Sequence, residues 1–265
     1  MVSVIISFYK RLTHLNICLE SLRSSADNFN EVLIADDGSP PPTVNELKRL
    51  TDRFDFPIRH IWQKKQGFRL AASRNNAIRE AKGDYLIFLD CDFAVMPDTI
   101  ITHLHKAKPG RYVGARVKYL PEAPTNELIS KGVTLDNLPD FYACLPEQAI
   151  NREHRRFIKH SVLRYLHLIG PRKPQCSSHF SIYKKDIEYI NGYDENFTGW
   201  GGEDEDLSHR MNLAGFSGYS AIKQARALHL WHPTELGGKD WQHGSNVDYL
   251  FRKRIKFRCQ NGLFK

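Results

Sequence analysis

Two aspartates bracket a cysteine at Asp90-Cys91-Asp92, directly after the apolar run Tyr85-Leu86-Ile87-Phe88-Leu89. A run this apolar reads as a strand buried on both faces, and carboxylates next to buried chain are costly without a positive partner. Two carboxylates one residue apart at a strand end suit a divalent cation such as Mn²⁺ or Mg²⁺. The same triplet also suits a simple turn ahead of Pro97. A second acidic cluster, Gly199-Trp200-Gly201-Gly202-Glu203-Asp204-Glu205-Asp206, opens a helix that Leu207, Met211 and Ala214 continue. The helix macrodipole favours acids in a first turn, which accounts for one or two of them. Four in succession behind an aromatic and a Gly-Gly pair point to more. Trp200 offers a flat apolar platform of the kind sugars stack on, and an acid here suits a general base for a hydroxyl nucleophile.

His229-Leu230-Trp231-His232 is the third candidate. Either imidazole alone fits a hydrogen-bonded core residue; one of them joining the Asp-x-Asp pair would complete a mixed nitrogen and oxygen metal site. The alternation predicts a strand with His229 and Trp231 on one face and His232 on the other. Arg69 and Arg74, at and just after the start of a predicted helix, are placed to hold a diphosphate, since helix N-termini and guanidinium groups both favour anions. They fit equally well as surface arginines of an amphipathic helix.

Strands and helices must alternate to position these groups. Residues 2–7 and 31–35 read as buried strands, the second running into Asp36-Asp37-Gly38-Ser39, and 57–62 and 85–89 as two more. Leu12, Leu15, Leu19 and Leu22 recur at helical spacing; Leu70, Ala77, Ile78 and Ala81 form the face of another helix, which Gly83 should end. Thr43 is expected to cap a helix after Pro40-Pro41-Pro42, and Pro97 to start one. Residues 112–117 and 178–183 read as strands, and 151–168 as a basic helix. The pattern predicts an α/β fold, a mostly parallel sheet flanked by helices, in one domain with an elaborated C-terminal half. Ligands of such sheets gather beyond the C-terminal strand ends, where both aspartate pairs fall.

The 265 residues carry a formal charge of +8. No stretch reaches the about 18 apolar residues of a membrane span, and the apolar start reads as a core strand with no signal-peptide pattern. Five scattered cysteines, Cys18, Cys91, Cys144, Cys176 and Cys259, argue for free thiols in a reducing compartment. The expected location is cytoplasmic. The basic run 252–258 is a candidate contact with anionic headgroups at the inner face of a bacterial membrane, with a solvated basic helix as the plain alternative. No nucleic-acid partner is expected.

Val4-Ile5-Ile6-Ser7-Phe8, Asp36-Asp37-Gly38-Ser39, Gly67-Phe68-Arg69 through Arg74-Asn75, and Asp90-Cys91-Asp92 together resemble family 2 glycosyltransferases of the GT-A type. The 199–207 segment and His229 resemble the C-terminal half of β-1,4-galactosyltransferases, polypeptide N-acetylgalactosaminyltransferases and bacterial chondroitin-type polymerases. The resemblance implies an inverting, Mn²⁺- or Mg²⁺-dependent transfer of a sugar from a nucleotide sugar, a UDP-hexose or UDP-N-acetylhexosamine, to a glycan hydroxyl in surface polysaccharide synthesis. It implies residues 1–117 as the nucleotide-sugar half and 118–265 as the acceptor and catalytic half. Carried over, Ser7, Asp36 or Asp37, Gly67, Arg69, Arg74, Asp90, Asp92 and Trp200 would hold the donor. Asp92 and His229 would bind the metal, ahead of Asp90 and of the extra His232. Asp204 would be the base, and Glu203 would help grip the acceptor. Two other readings stand beside it. A sugar-1-phosphate nucleotidyltransferase would want a glycine-rich loop after the first strand, where Ser7-Phe8-Tyr9-Lys10-Arg11 has no glycine. A non-catalytic module for anionic polymers rests on charge alone.

Overall fold

A computed structural model describes residues 1–172, 177–233 and 244–265. The first half runs β1 (Val2–Phe8), α1 (Leu12–Leu22), β2 (Glu31–Asp36), α2 (Pro41–Thr51), β3 (Ile58–Trp62), α3 (Leu70–Glu80), β4 (Tyr85–Asp90), β5 (Phe93–Val95) and α4 (Thr99–His105). There follow β6 (Arg111–Gly114), β7 (Arg116–Tyr119), α5 (Glu122–Lys131), α6 (Asn137–Ala143), α7 (Gln148–Tyr165), β8 (Phe180–Tyr183), α8 (Lys184–Tyr189), α9 (Glu203–Leu213), β9 (Ser217–Ser220), β10 (Arg226–His229) and α10 (Val247–Leu250).

Seven strands form one sheet in the order β3-β2-β1-β4-β8-β6-β9, and only β8 runs against the rest. The central strands are apolar throughout because helices cover both faces. Ile5, Leu33, Leu86 and Phe88 point into one core layer with α3 and α9; Val4, Ile6, Val32, Ile34, Ile87 and Leu89 point into the other with α1. Phe88 stacks on Phe180 at 4.6 Å, where β8 joins the parallel half. The predicted α/β class and mostly parallel sheet are as observed.

Four local expectations fail for tertiary reasons. Residues 112–117 are two strands, not one. The Ala115 amide bonds to the His179 carbonyl at 3.0 Å, and the chain then leaves the large sheet, so that β7 joins β5 and β10 in a three-stranded sheet. Thr43 lies inside α2, whose first turn begins at Pro41-Pro42 instead, as proline's fixed φ and missing N–H permit. Gly83 is no helix cap: a Cβ there would lie 2.5 Å from the Ser3 amide, so it is the close approach of this turn to β1 that demands glycine. The run 252–258 forms no helix. Arg252 bonds to Asp194 and Asp206, and Arg258 to the carbonyls of Glu188 and Tyr189, so these two cations are tied into the fold. Cys18, Cys91 and Cys259 are buried thiols and Cys144 is an exposed one; Cys176 lies outside the described residues.

Candidate active site

The C-terminal ends of β1, β2 and β4, the start of α9 and the end of β10 border one cleft of about 1830 Å³. Ser7, Asp37, Gly67, Arg74, Asp90, Asp92, Trp200, Glu203, Asp204, His229 and His232 all line it. β1 pairs with both β2 and β4 and sets their ends side by side, and the Arg74–Asp204 contact joins residues 130 positions apart across the cleft wall.

Of the two β2 aspartates, only Asp37 faces the cleft. Asp36 is fully buried below it, accepting from the Ser39 amide at 2.8 Å and bonded to His60 at 2.8 Å. It shapes the turn and is withdrawn from any ligand. Asp37 accepts from Lys65 Nζ (2.9 Å), Gln63 Nε2 (2.7 Å) and the Arg69 amide (3.0 Å). The Arg69 side chain turns instead to Gln66 and is not among the lining groups.

Arg74 is 1% exposed and ties the cleft together. Its guanidinium donates to Ser7 Oγ at 2.9 Å, Asp90 Oδ1 at 3.1 Å and Asp204 Oδ1 at 3.0 Å, with Glu203 at 3.7 Å. It is therefore neither a surface arginine nor a free anion receptor. One cation fixes the strand-end acid and the helix-start acids at a set separation. Replacing it with methionine would leave one buried and two part-buried carboxylates facing one another, at a cost of up to about 3–5 kcal/mol. The loss, measured by denaturant unfolding of Arg74→Met, is expected to be larger at pH 8 than at pH 5, where protonation relieves the repulsion. A loss independent of pH would refute this account.

At the helix start, Gly202 adopts φ +94°, and a Cβ there would meet Phe197 at 2.9 Å, so this glycine serves packing against Phe197. The turn delivers Glu203 buried and Asp204 to the cleft wall, with Trp200 half-exposed at its rim. Burial raises the pKa of Asp204 against the opposing pull of Arg74. Burial and the neighbouring Asp204 raise Glu203 to about 8 and Glu205, which lines the cleft as well, to about 7. A carboxylate held above its usual range is the stronger base.

The second focus is Asp92. His232 Nε2 lies 3.1 Å from its Oδ2 and His229 Nε2 lies 3.8 Å from its Oδ1, and Arg11 donates to Oδ2 at 3.3 Å. One ligand atom from each of Asp92, His229 and His232 falls within 4.8 Å of the others. The expected assignment of the two histidines to opposite strand faces is wrong. β10 ends at His229, the Leu230 amide bonds to the Asp92 carbonyl, and the chain then turns so that both imidazoles meet one carboxylate. Asp90 is engaged by Arg74 and is not in that cluster. Among the described residues, Asp92 Oδ1 is buried without a hydrogen-bond partner, an uncommon state for a carboxylate oxygen. Burial opposes its ionisation, but the hydrogen bond from His232 and the charges of His229, His232 and Arg11 prevail and lower its pKa. A carboxylate oxygen lacking a partner beside two imidazoles is a donor set that a divalent transition ion fits.

Sequence reasoning missed Tyr9, Lys65, Arg116, His179, His209 and Phe251, which also line the cleft. None sits in a patterned cluster, so only tertiary structure could recruit them.

The glycosyl transferase family 2 model matches residues 3–189, well over half of the 265-residue chain. A second model, the N-terminal domain of galactosyltransferase, matches 160–233. Hyaluronan synthase of Pasteurella multocida is 27% identical over 96% of this chain but only 28% of its own length. Validoxylamine A glucosyltransferase of Streptomyces hygroscopicus is 28% identical over 81% of this chain and 52% of its own length. The chain thus spans about a quarter to a half of these relatives. Among solved structures, a mannosyltransferase of Pyrobaculum calidifontis in complex with GDP-Man and Mn²⁺ has TM-score 0.59 at 15% identity, covering 88% of this chain and 58% of that one. Residues 1–349 of S. aureus TarS with UDP-GlcNAc give TM-score 0.57 at 16% identity, covering 90% and 61%. Matched over most of its length and folded like these enzymes, the chain belongs to glycosyl transferase family 2 and has the GT-A-type fold.

Proposed function

We propose that this protein transfers a sugar from a UDP-sugar to a glycan hydroxyl with inversion, assisted by a divalent cation, in bacterial surface polysaccharide synthesis. The observation that carries the reading is one cleft lined both by the Asp92, His229 and His232 cluster and by Asp204, which Arg74 ties to Asp90. Residues 1–117 bind the nucleotide and 118–265 bind the acceptor and supply the base.

Asp37 takes the base or ribose end of the donor, and Ser7, Gly67 and Asp90 line the floor below it. Asp92, His229 and His232 would hold Mn²⁺ or Mg²⁺, which when bound neutralises the charge gathering on the leaving diphosphate. Trp200 stacks a sugar ring. Glu203 braces the acceptor side through Arg74. Asp204 takes the proton from the attacking hydroxyl, which approaches the anomeric carbon opposite the diphosphate, and one displacement inverts that centre. Arg74 keeps Asp204 aimed while burial keeps it basic.

The deciding experiment screens nucleotide sugars, with and without Mn²⁺, for thermal stabilisation and for hydrolysis. Stabilisation by one UDP-sugar and by no unrelated nucleotide is expected; none by any would reject the reading. The pH profile follows from the base. A protonated Asp204 cannot accept a proton, and its pKa lies above the ordinary aspartate value, so the acid limb of kcat/KM should also lie above the ordinary aspartate value. An acid limb at the ordinary aspartate value would show that another group governs it.

A further inference from the structure

The 18-residue helix α7 presents a face that the cleft does not use. Ile150 and Phe157 pack it onto the body of the protein. Away from that contact, Ile158 (44% exposed), Val162 (50%), Tyr165 (84%) and Leu166 (53%) recur at i, i+4, i+7 and i+8, and Leu168 (66%) extends the stripe beyond the helix. Arg152, Arg155, Arg156 and Lys159 are exposed in the preceding turns. Arg152, Arg155 and Lys159 have no acidic partner among the described residues. Beyond the helix, Arg172 donates to the Arg252 carbonyl at 2.9 Å, and Lys253, Arg254 and Lys256 after it are exposed.

We infer that α7 is an interfacial helix that lies on an anionic phospholipid surface, with the 158–168 stripe in the headgroup layer and the arginines and lysines on the phosphates. An exposed apolar stripe with a basic flank and an aromatic at its edge is the pattern of a helix lying in a membrane plane. No described helix is long and apolar enough to cross one. Charge decides against a second copy of the chain. A two-fold contact would set the same basic residues of α7 against each other, on a protein of net charge +8, whereas an anionic bilayer gains from every one of them. Arg156 and Glu153 on α7 also line the cleft, so a bilayer beneath the helix lies close to the cleft.

The inference does not depend on the sugar chemistry, and it is tested by flotation of the whole chain with vesicles. Binding is expected to vesicles of phosphatidylglycerol and phosphatidylcholine, not to phosphatidylcholine alone, and added salt should release the protein. Arg155→Gln/Lys159→Gln and Val162→Ser/Tyr165→Ser/Leu168→Ser should each weaken partitioning roughly tenfold or more. Both should keep the wild-type melting temperature, since every substituted side chain is exposed. Failure of the wild type to float with either vesicle, or floating of both variants like the wild type, overturns the inference. So does a concentration-dependent dimer, seen by sedimentation, that the same substitutions dissolve.

Discussion

Asp204→Asn is expected to lower the rate of sugar transfer by about 10²–10⁴-fold while leaving donor affinity within a few-fold of wild type. The amide keeps the size of the carboxylate, and its oxygen can still accept from Arg74 Nη1, now 3.0 Å from Asp204 Oδ1. It has no lone pair basic enough to take the proton of a hydroxyl nucleophile. The proposed donor site, at Asp37, Asp92, His229 and His232, does not include this group, so binding of the nucleotide should survive. Removing one of three neighbouring acids, of which Glu203 is buried and Asp204 and Glu205 are part-buried, also relieves repulsion, so the variant should unfold no more easily than wild type and somewhat less easily at alkaline pH. The sign follows from linkage. Asp204 has a folded pKa above its unfolded value, so its ionisation costs stability as pH rises between the two, and asparagine abolishes that cost. Saturating-donor kinetics, titration calorimetry with the nucleotide and unfolding at two pH values check the three parts. An unchanged turnover rate would remove Asp204 from the role of base.

The strands that build the cleft were legible because burial on both faces leaves an uninterrupted apolar run, and β1, β2 and β4 each carry one. The acids at their ends were legible for the same reason: a polar residue stands out where such a run stops. What could not be read was anything decided by a neighbour distant in sequence. Arg74 looks like any helix arginine until β4 and α9 close around it. Asp36 and Asp37 are indistinguishable in the chain, and only the geometry of β2 beside β3 seals one under His60 and leaves the other, itself nearly buried, on the cleft wall. His232 was assigned to the wrong face because alternation assumes that a strand continues. Hydrogen bonds from Leu230 to Asp92 and from Trp231 to Thr125 end β10 and redirect the chain. The break at Ala115 is equally silent, since an apolar residue passing between two sheets has the composition of one staying in a single sheet.

The second large effect is expected at Asp92. Asp92→Ala should weaken Mn²⁺ binding at least about 100-fold and reduce sugar transfer to the level that the wild type shows in excess EDTA. Losing an outer partner of a metal ligand already costs roughly 10–100-fold in affinity, and Asp92 is the one anion among the three candidate ligands. The fold should bear the change well. Among the described residues, Asp92 Oδ1 has no hydrogen-bond partner to lose. Arg11 and the two imidazoles retain partial access to water, with side-chain exposures of 34%, 22% and 13%. The histidines separate the metal reading from a purely structural one. If His232 served only to neutralise Asp92 through its 3.1 Å contact, His232→Gln would leave Mn²⁺ affinity untouched. If it is a ligand, His232→Gln and His229→Gln should each weaken Mn²⁺ binding, measured by calorimetry without donor or acceptor. Their effects combined should fall short of the sum, because both act on one ion. Full transfer activity in EDTA, or wild-type Mn²⁺ affinity in Asp92→Ala, would show that the buried carboxylate between two imidazoles serves the fold and not a cation.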